Sequence, residues 1–103
     1  MAEAFTYKLT TENELFSFDF SQVLAASETL TTASCSVIVI SGTDSNPSAI
    51  LSGSAAITGP KASQRVTAGI SEVTYRLIMT VTTSAGNTFT AVGDLPVYDP
   101  SLV

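Results

Sequence analysis

The sequence lacks the residues on which most small enzymes and metal sites depend. It has no histidine, no tryptophan and a single cysteine, Cys35, in 103 residues. Without histidine, the Ser-His-Asp and Cys-His arrangements of nucleophilic catalysis cannot form. One cysteine and no histidine also leave no ligand set for zinc. We therefore expect a protein that is not an enzyme and that has no catalytic, cofactor-binding or metal-binding residues.

Positive charge is scarce as well. Lys and Arg number four against nine Asp and Glu, which gives a net charge of -5. Nucleic acids and anionic membranes both attract clustered Lys and Arg, so the sequence predicts neither as a partner. Lys61 and Arg65, in or beside a predicted loop, are candidates for contact with an acidic partner, although plain solvation accounts for them too.

Long apolar runs are missing too. The longest strongly apolar stretch is Val37–Ile40, far below the roughly 20 residues of a transmembrane helix. The first residues have neither the basic start nor the apolar centre of a signal peptide. We therefore expect a single domain, residues 1–103, that stays in the cytoplasm where it is made. The lone Cys35 excludes an intrachain disulfide, which leaves burial near the head of a strand or a disulfide to another chain.

The residues that are present form a β pattern. The run from Val73 to Val92 predicts a β-hairpin, because apolar and polar residues alternate and the sequence Ser-Ala-Gly-Asn at 84–87 supplies a turn. Tyr75 is expected to pack inward, with its hydroxyl reaching backbone at a strand corner. Phe16, Phe18 and Phe20 fall on one face of an earlier strand and are expected to form the centre of the core.

Further short strands follow the same alternation. The first of them is predicted at Ala4–Leu9, where Phe5, Tyr7 and Leu9 alternate with Thr6 and Lys8. The last, Thr88–Tyr98, should be interrupted at Gly93-Asp94 by a bulge or bend, and Pro96 should restrict it to an edge or bulged position. The remaining strands are predicted at 33–40, 49–51, 55–58 and 63–68, and a short helical turn near Ser21–Ala26 connects two of the elements. Seven or eight short antiparallel strands at these spacings predict an all-β, immunoglobulin-like β-sandwich.

One strand is apolar on both faces. Around Ile38, Val39 and Ile40 no polar residue interrupts the run. This pattern indicates a central strand, or a strand whose outer face is covered by a partner.

The carboxylates do not form an obvious active site. Glu12, Glu14, Asp44 and Glu72 fall in predicted loops or at strand ends, and Asp19 lies on the outward face of its strand, so we expect solvated surface roles. The run Asp44-Ser45-Asn46 is similar to the alternating oxygen ligands of calcium loops. A competent calcium loop needs more acids, and an ordinary Asx turn accounts for the pattern.

Several motifs resemble those of known families. Tyr75-Arg76-Leu77, followed by Val81, Ser84 and Gly86, resembles the penultimate strand of immunoglobulin and fibronectin type III domains. A resemblance over nearly the whole chain is to the small immunoglobulin-like structural proteins of tailed bacteriophages, some of which act as adaptors between tail and fibre. The residues that carry it are Phe18-Asp19-Phe20-Ser21, Val23-Leu24, Glu28-Thr29-Leu30, Ser34-Cys35-Ser36-Val37 and the run from Tyr75 through Thr83-Ser84-Ala85-Gly86.

The resemblance implies a virion structural protein, assembled in the cytoplasm of the host bacterium. Such a subunit would be a tail/fibre adaptor, a head-tail adaptor or a decoration subunit, oligomeric in the particle, with other virion proteins as its partners. The segment before Thr10, the segment Asp99–Val103 and edge strands are expected to reach neighbours. The alternative is a carbohydrate- or cell-surface-binding module, which requires a shallow site with exposed aromatic residues, drawn from Phe5, Tyr7, Phe89 and Tyr98.

Overall fold

The computed structural model of the chain describes residues 2–103, and Met1 lies outside the described residues. Eight strands form two sheets. The strands are β1 (Ala2–Ala4), β2 (Lys8–Leu9), β3 (Asn13–Asp19), β4 (Leu30–Ser41), β5 (Leu51–Thr58), β6 (Lys61–Thr67), β7 (Val73–Thr83) and β8 (Thr88–Tyr98). Two short 3-10 helices lie at Pro47–Ile50 and Pro100–Leu102.

The strand order confirms the predicted all-β sandwich. In the larger sheet, β4 is followed by β7 and β8, and both β1 and β2 pair with the far side of β8. The smaller sheet has the order β3-β6-β5. This is the two-sheet arrangement of an immunoglobulin-like domain with the first strand added beside the last. One detail differs from the prediction, because β1 and β2 pair with β8 in parallel and only the other pairs are antiparallel.

The predicted hairpin is confirmed and supplies one wall of the core. The apolar residues at alternate positions of β7, from Val73 to Val81, are all buried, because the period of a strand matches the spacing of apolar residues. The turn at 84–87 closes where the backbone N–H of Thr83 donates to the Asn87 carbonyl at 2.9 Å. Gly86 adopts a φ of +85° there, a conformation that glycine accepts without strain.

Aromatic rings fill the space opposite this wall. Phe16, Phe18 and Phe20 are buried, as predicted, because they share one face of β3 and its flank. Phe5 joins them, with its ring centroid 4.9 Å from that of Phe16 and 5.5 Å from that of Phe18. The ring lies directly under Gly93, where a Cβ atom would collide with Cε2 of Phe5.

The bulge predicted at Gly93 is therefore wrong. The register of β7 and β8 runs without a shift from Thr82 and Thr88 to Val73 and Val97. Gly93 is needed because of the ring beneath it, and not because of a bend. Pro96 lies beside the gap between β1 and β2, where its missing N–H breaks no ladder hydrogen bond, although β8 itself is not an edge strand.

The first predicted strand, Ala4–Leu9, is also corrected. It is split into β1 and β2, and in β2 the inward residue is Lys8, whereas Tyr7 is 44% exposed. The buried ammonium of Lys8 donates to the carbonyl oxygens of Leu9 at 2.8 Å and Ala68 at 2.5 Å. These acceptors allow a lysine to occupy an inward position, at the cost of a lowered pKa caused by desolvation.

The helical turn predicted near Ser21–Ala26 is replaced by two hydrogen-bonded turns. Val23 N–H donates to the Phe20 carbonyl, and Glu28 N–H donates to the Ala25 carbonyl. The side chain of Glu28 accepts from Ala25 N–H, a donor that a helix begun at Ser21 would use, and Asp19 accepts from Ser21 N–H to form a turn. The strand predicted at 55–58 lies within β5, whereas the strand predicted at 49–51 is wrong except for Leu51, because Ala49 and Ile50 belong to the first 3-10 helix. β5 has a register shift between Ser52 and Ala56.

Candidate interaction surface

The outer face of the larger sheet is a regular surface built on three long strands. The alternation that buries one side of β4, β7 and β8 turns the other side outward. We call this surface the Thr/Ile face. Its members are Thr32, Ser34, Ser36 and Ile38 of β4, Thr74, Arg76, Ile78, Thr80 and Thr82 of β7, and Thr88, Thr90, Val92, Asp94 and Pro96 of β8.

One end of the Thr/Ile face consists of hydroxyl groups. The cross-strand rows are Thr32-Thr82-Thr88 and Ser34-Thr80-Thr90. Oγ1 of Thr32 lies 2.5 Å from Oγ1 of Thr82. A hydroxyl can both donate and accept, so this end can form hydrogen bonds with a partner of either polarity.

The middle of the face is apolar. Ser36, Ile78 and Val92 form the next row, and Ile38 lies opposite Arg76 in the row beyond it. Ile38 is 46% exposed and the following Ile40 is 42% exposed. Covering such exposed aliphatic side chains with another surface lowers the free energy, because apolar area is removed from water.

The charges on this face neutralise each other. Arg76 donates from Nε to Oδ1 of Asp94 at 2.7 Å and from Nη2 to Oδ2 at 3.0 Å. The hydrogen bonds from Arg76 lower the pKa of the Asp94 carboxyl. A bidentate pair of this kind can be covered by a partner without leaving an unpaired charge behind.

The sequence predicted the strands of this face but not the ion pair. Arg76 and Asp94 become cross-strand neighbours only through the register of the hairpin. The turn at 84–87 could have predicted this ion pair, because pairing Thr82 with Thr88 fixes all the other residue pairs along β7 and β8. The strand β4 is an edge strand, so the interpretation of it as a central strand is wrong. A partner over its outer face stays a prediction.

The hydroxyl of Tyr75 ties two loops to the core, as predicted for a strand corner. It accepts a hydrogen bond from Ile70 N–H at 3.0 Å and donates to Oδ2 of Asp44 at 2.7 Å. Burial and the bond to Asp44 raise the pKa of Tyr75 to about 12. Asp44 also accepts from Asn46 N–H at 2.9 Å, which is the predicted Asx turn.

The other carboxylates that the sequence singled out are dispersed. Glu12 caps the end of β2 by accepting from Leu9 N–H at 2.8 Å. Asp19, with a pKa lowered chiefly by the hydrogen bond from Ser21 N–H, begins a turn. Glu14 and Glu72 are exposed. Within residues 2–103, no group of three or more His, Cys, Asp or Glu side chains is placed to hold a metal ion.

The remaining candidate residues have structural surroundings. Cys35 is half-buried on the inner side of β4, and burial raises the pKa of its thiol to about 11. Arg65 donates to the side chain of Asn13 at 3.3 Å, and Lys61 is exposed at the start of β6. Among the helices of the described chain, none has the length and apolar character needed to cross a membrane.

A shallow cleft lies at one end of the sandwich. Tyr7 and Tyr98 pack edge to face, with ring centroids 5.9 Å apart. They line a cleft of about 450 Å³ together with Glu72, Leu102 and Val103. Of the four aromatic residues considered for a binding site, Phe5 and Phe89 instead pack against the core.

Comparison with known proteins identifies the family. Residues 8–95 match the family described as Podophage GP4 fiber-tail adaptor protein gp77.

The chain belongs to this family. It is therefore a structural protein of a phage tail and a component of the virion, and an adaptor family implies contact with other tail or fibre proteins. No curated protein and no solved structure matches the chain.

Proposed function

We propose that this single-domain protein is a non-enzymatic adaptor subunit that joins tail and fibre components of a virion by protein-protein contact through the Thr/Ile face. The subunit assembles in the host cytoplasm and neither nucleic acid nor membrane is its partner. The scarcity of Lys and Arg supports that last point, since phosphate neutralisation requires them.

The electrical neutrality of the Thr/Ile face carries the proposal. The chain has a net charge of -5, yet the charged members of this face are Arg76 and Asp94, which are paired with each other. A partner can therefore cover the face without desolvating an isolated charge, which is the main cost of burying an acidic surface. The apolar row through Ile78 and the hydroxyl rows beside it supply the hydrophobic centre and polar margin that interfaces combine.

The experiment places one charge in the middle of this face. Ile78→Lys lies on β7, away from either sheet edge, and its aliphatic stem can stay on the sheet while the ammonium reaches water. Leu15→Lys is the matched control, because Leu15 is 48% exposed on β3 in the smaller sheet. Each variant is supplied to a phage whose own copy of the gene has been deleted.

We expect particles made with Ile78→Lys to lack the adaptor, and with it the fibres, in electron micrographs and in protein gels of purified virions. Particles made with Leu15→Lys should carry both. Circular dichroism of the purified variants verifies that each is folded. Fibre-bearing particles with folded Ile78→Lys would overturn the Thr/Ile face as the interface. Absence of the wild-type protein from intact virions would overturn the adaptor role itself.

The cleft lined by Tyr7 and Tyr98 supports a second candidate function, that of a carbohydrate- or cell-surface-binding module. An accessible aromatic ring with a carboxylate beside it offers a sugar a surface to stack on and an acceptor for its hydroxyl groups. Tyr7 is the more exposed ring of the pair, and Glu72 lines the same cleft. Binding to a glycan array that is lost in Tyr7→Ala and Tyr98→Ala would favour this function. An array without any bound glycan counts against it.

A further inference from the structure

Strand β4 is the edge of the larger sheet, and the hydrogen bonds of its neighbour show which backbone groups are free. Ser84 N–H donates to Thr29 on the β4 side, whereas Thr83 N–H donates to Asn87 on the β8 side. The N–H and C=O groups of successive residues point to opposite sides of a strand. The backbone groups that point toward β4 are therefore those of Thr82, Thr80, Ile78 and Arg76. Their opposite residues on β4 face β7, and the residues between them face away. The outward-facing backbone groups therefore belong to Ala33, Cys35, Val37 and Val39.

This edge lacks the usual protection against pairing with another strand. Edge strands are commonly short, or carry Lys, other charges or proline. β4 is 12 residues long and contains no charged residue and no proline. Its register shifts, between Leu30 and Thr32 and between Val39 and Ser41, leave the pairing from Thr32 to Val39 regular. Eight consecutive residues with an open edge form a template for an added strand.

Small side chains leave room beside the edge. A groove of about 250 Å³ lies between β4 and β5. Its lining is Ala33, Ser34 and Cys35 on one side, Leu51, Gly53, Ser54 and Ala55 on the other, and Gln64 at the back. Gln64 donates to the carbonyls of Ser52 and Gly53, so β5 is held back and does not extend across the groove. The backbone of β5 pairs with β6 and leaves the backbone groups along the edge of β4 without a partner strand.

The distribution of charge selects the occupant. None of the chain's nine acidic and four basic residues lies in β4 or β5, whereas the open edge strand β3 carries Glu14 and Asp19. Two copies of a chain with net charge -5 repel each other wherever their acidic residues approach. The electrostatic cost of bringing two copies together is therefore lowest along β4 and β5, which carry no charged residue.

We propose that β4 pairs, antiparallel, with β4 of a second copy of this chain, so that two copies form one continuous sheet. The pairing would make a second copy of the chain one neighbour of the adaptor in the virion. Its biological use rests on the function proposed above. The contact between two strand edges is small, so the purified protein should associate reversibly, and the associated fraction should rise with protein concentration.

Hydrogen exchange of backbone amides tests the pairing residue by residue. NMR is recorded in a reducing buffer, from dilute protein up to about 1 mM, where weak contacts of this size become populated. We expect the amides of Ala33, Cys35, Val37 and Val39 to gain protection as concentration rises. The amides of Ser34 and Ser36, which already face β7, should be protected throughout. Edge amides whose exchange is independent of concentration would overturn the proposal.

Two charge variants test it independently by sedimentation. Pairing of all four edge residues sets Ser34 opposite Ile38 of the second copy, so Ser34→Lys and Ser34→Glu each place a charge against that aliphatic side chain, and both should abolish the association. The matched controls, Thr80→Lys and Thr80→Glu, change the cross-strand neighbour of Ser34 on the same face, one strand further from the edge. They should associate as the wild type does.

The outcomes separate the edge from its alternatives. If Thr80→Lys abolished association as fully as Ser34→Lys, the contact would lie on the Thr/Ile face, and the edge pairing would be wrong. If Ser34→Lys and Ser34→Glu had opposite effects, general electrostatics would be the cause, and the pairing would again be wrong. A failure here is distinguishable from a failure of the adaptor role, because fibre attachment is scored separately with Ile78→Lys.

Discussion

Gly93→Ala tests whether the Phe5 ring holds the first strand onto the sandwich. An added Cβ atom would collide with Cε2 of Phe5, lie 2.8 Å from its Cζ and lie 3.1 Å from Cε1 of Phe18. Gly93 is not among the residues with positive φ, so the substitution introduces a steric change and no backbone strain. The Phe5 ring must move, and such overpacking costs about 1–3 kcal/mol.

The size of the effect is bounded by the ring itself. Phe5 is partly buried against Phe16 and Phe18, so Phe5→Ala should cost about 2–3 kcal/mol, below the 3–5 kcal/mol of a fully buried ring. Once the ring is removed, Gly93→Ala should cost about 0 kcal/mol or stabilise slightly, since alanine restricts the unfolded chain more than glycine does. The double variant should therefore be about as stable as Phe5→Ala alone.

The assay is a double-mutant cycle of urea denaturation followed by far-ultraviolet circular dichroism. A domain of this size has a urea dependence of about 1 kcal/mol/M, so a loss of 2 kcal/mol lowers the midpoint by about 2 M. We expect a coupling of about 1–3 kcal/mol between the two positions. If the two costs simply add, Gly93 is needed for some reason other than the ring, and the account of both residues is wrong.

Three further predictions concern the loops that frame the sandwich. Tyr75→Phe should cost about 1–2 kcal/mol, because it removes the partner of the Ile70 N–H and of the Asp44 carboxylate in two partly buried hydrogen bonds. Folding raises the pKa of Tyr75 to about 12, so as pH rises the phenol ionises first in the unfolded chain. The free energy of unfolding of the wild type should therefore fall between about pH 10 and 12. Unfolding measured over a pH series should show that this fall is absent from Tyr75→Phe. Gly42→Ala should lower the melting temperature more than Gly86→Ala, since both have positive φ but only a Cβ at Gly42 would meet Val73, at 2.9 Å; equal losses would contradict this. Folding lowers the pKa of Glu28, so its contribution to stability is present above the unfolded carboxyl pKa and is lost as pH falls through the folded value. Glu28→Gln should therefore lose less stability than the wild type when the same unfolding series is extended to acid pH. An equal loss of stability in acid would refute this.

The sequence was sufficient where one physical rule decided the outcome. Along β7, burial depends on period-two alternation alone, and every apolar position from Val73 to Val81 is inward as predicted. The turn at 84–87 fixes the partner strand, so the hairpin followed as well. Tyr75 was assigned correctly because a buried phenol needs a partner for its hydroxyl, although Asp44 as the acceptor depends on a loop 31 residues away.

The sequence failed where a distant contact overrode the local pattern. Lys8 can be buried because its ammonium donates a hydrogen bond to the carbonyl of Ala68, 60 residues away, and no local rule contains that acceptor. Gly93 was interpreted as a bulge because the ring that requires it, Phe5, belongs to the opposite end of the chain. The open edge of β4 was missed for a similar reason, since apolar residues on both faces of a strand are typical of central strands and do not reveal the strand order.

The parallel pairing of the first and last strands has a mechanical consequence. β1 and β2 run in the same direction as β8, and they are held along it by bonds that include Phe5 N–H to Asp94 and Thr10 N–H to Tyr98. A pull that separates the segment before β1 from the segment after β8 would slide these strands lengthwise. In that geometry the backbone bonds and the Phe5 ring resist together, whereas a pull across the sheet would open them one at a time. An adaptor loaded through its two ends would therefore be stretched along its strongest direction.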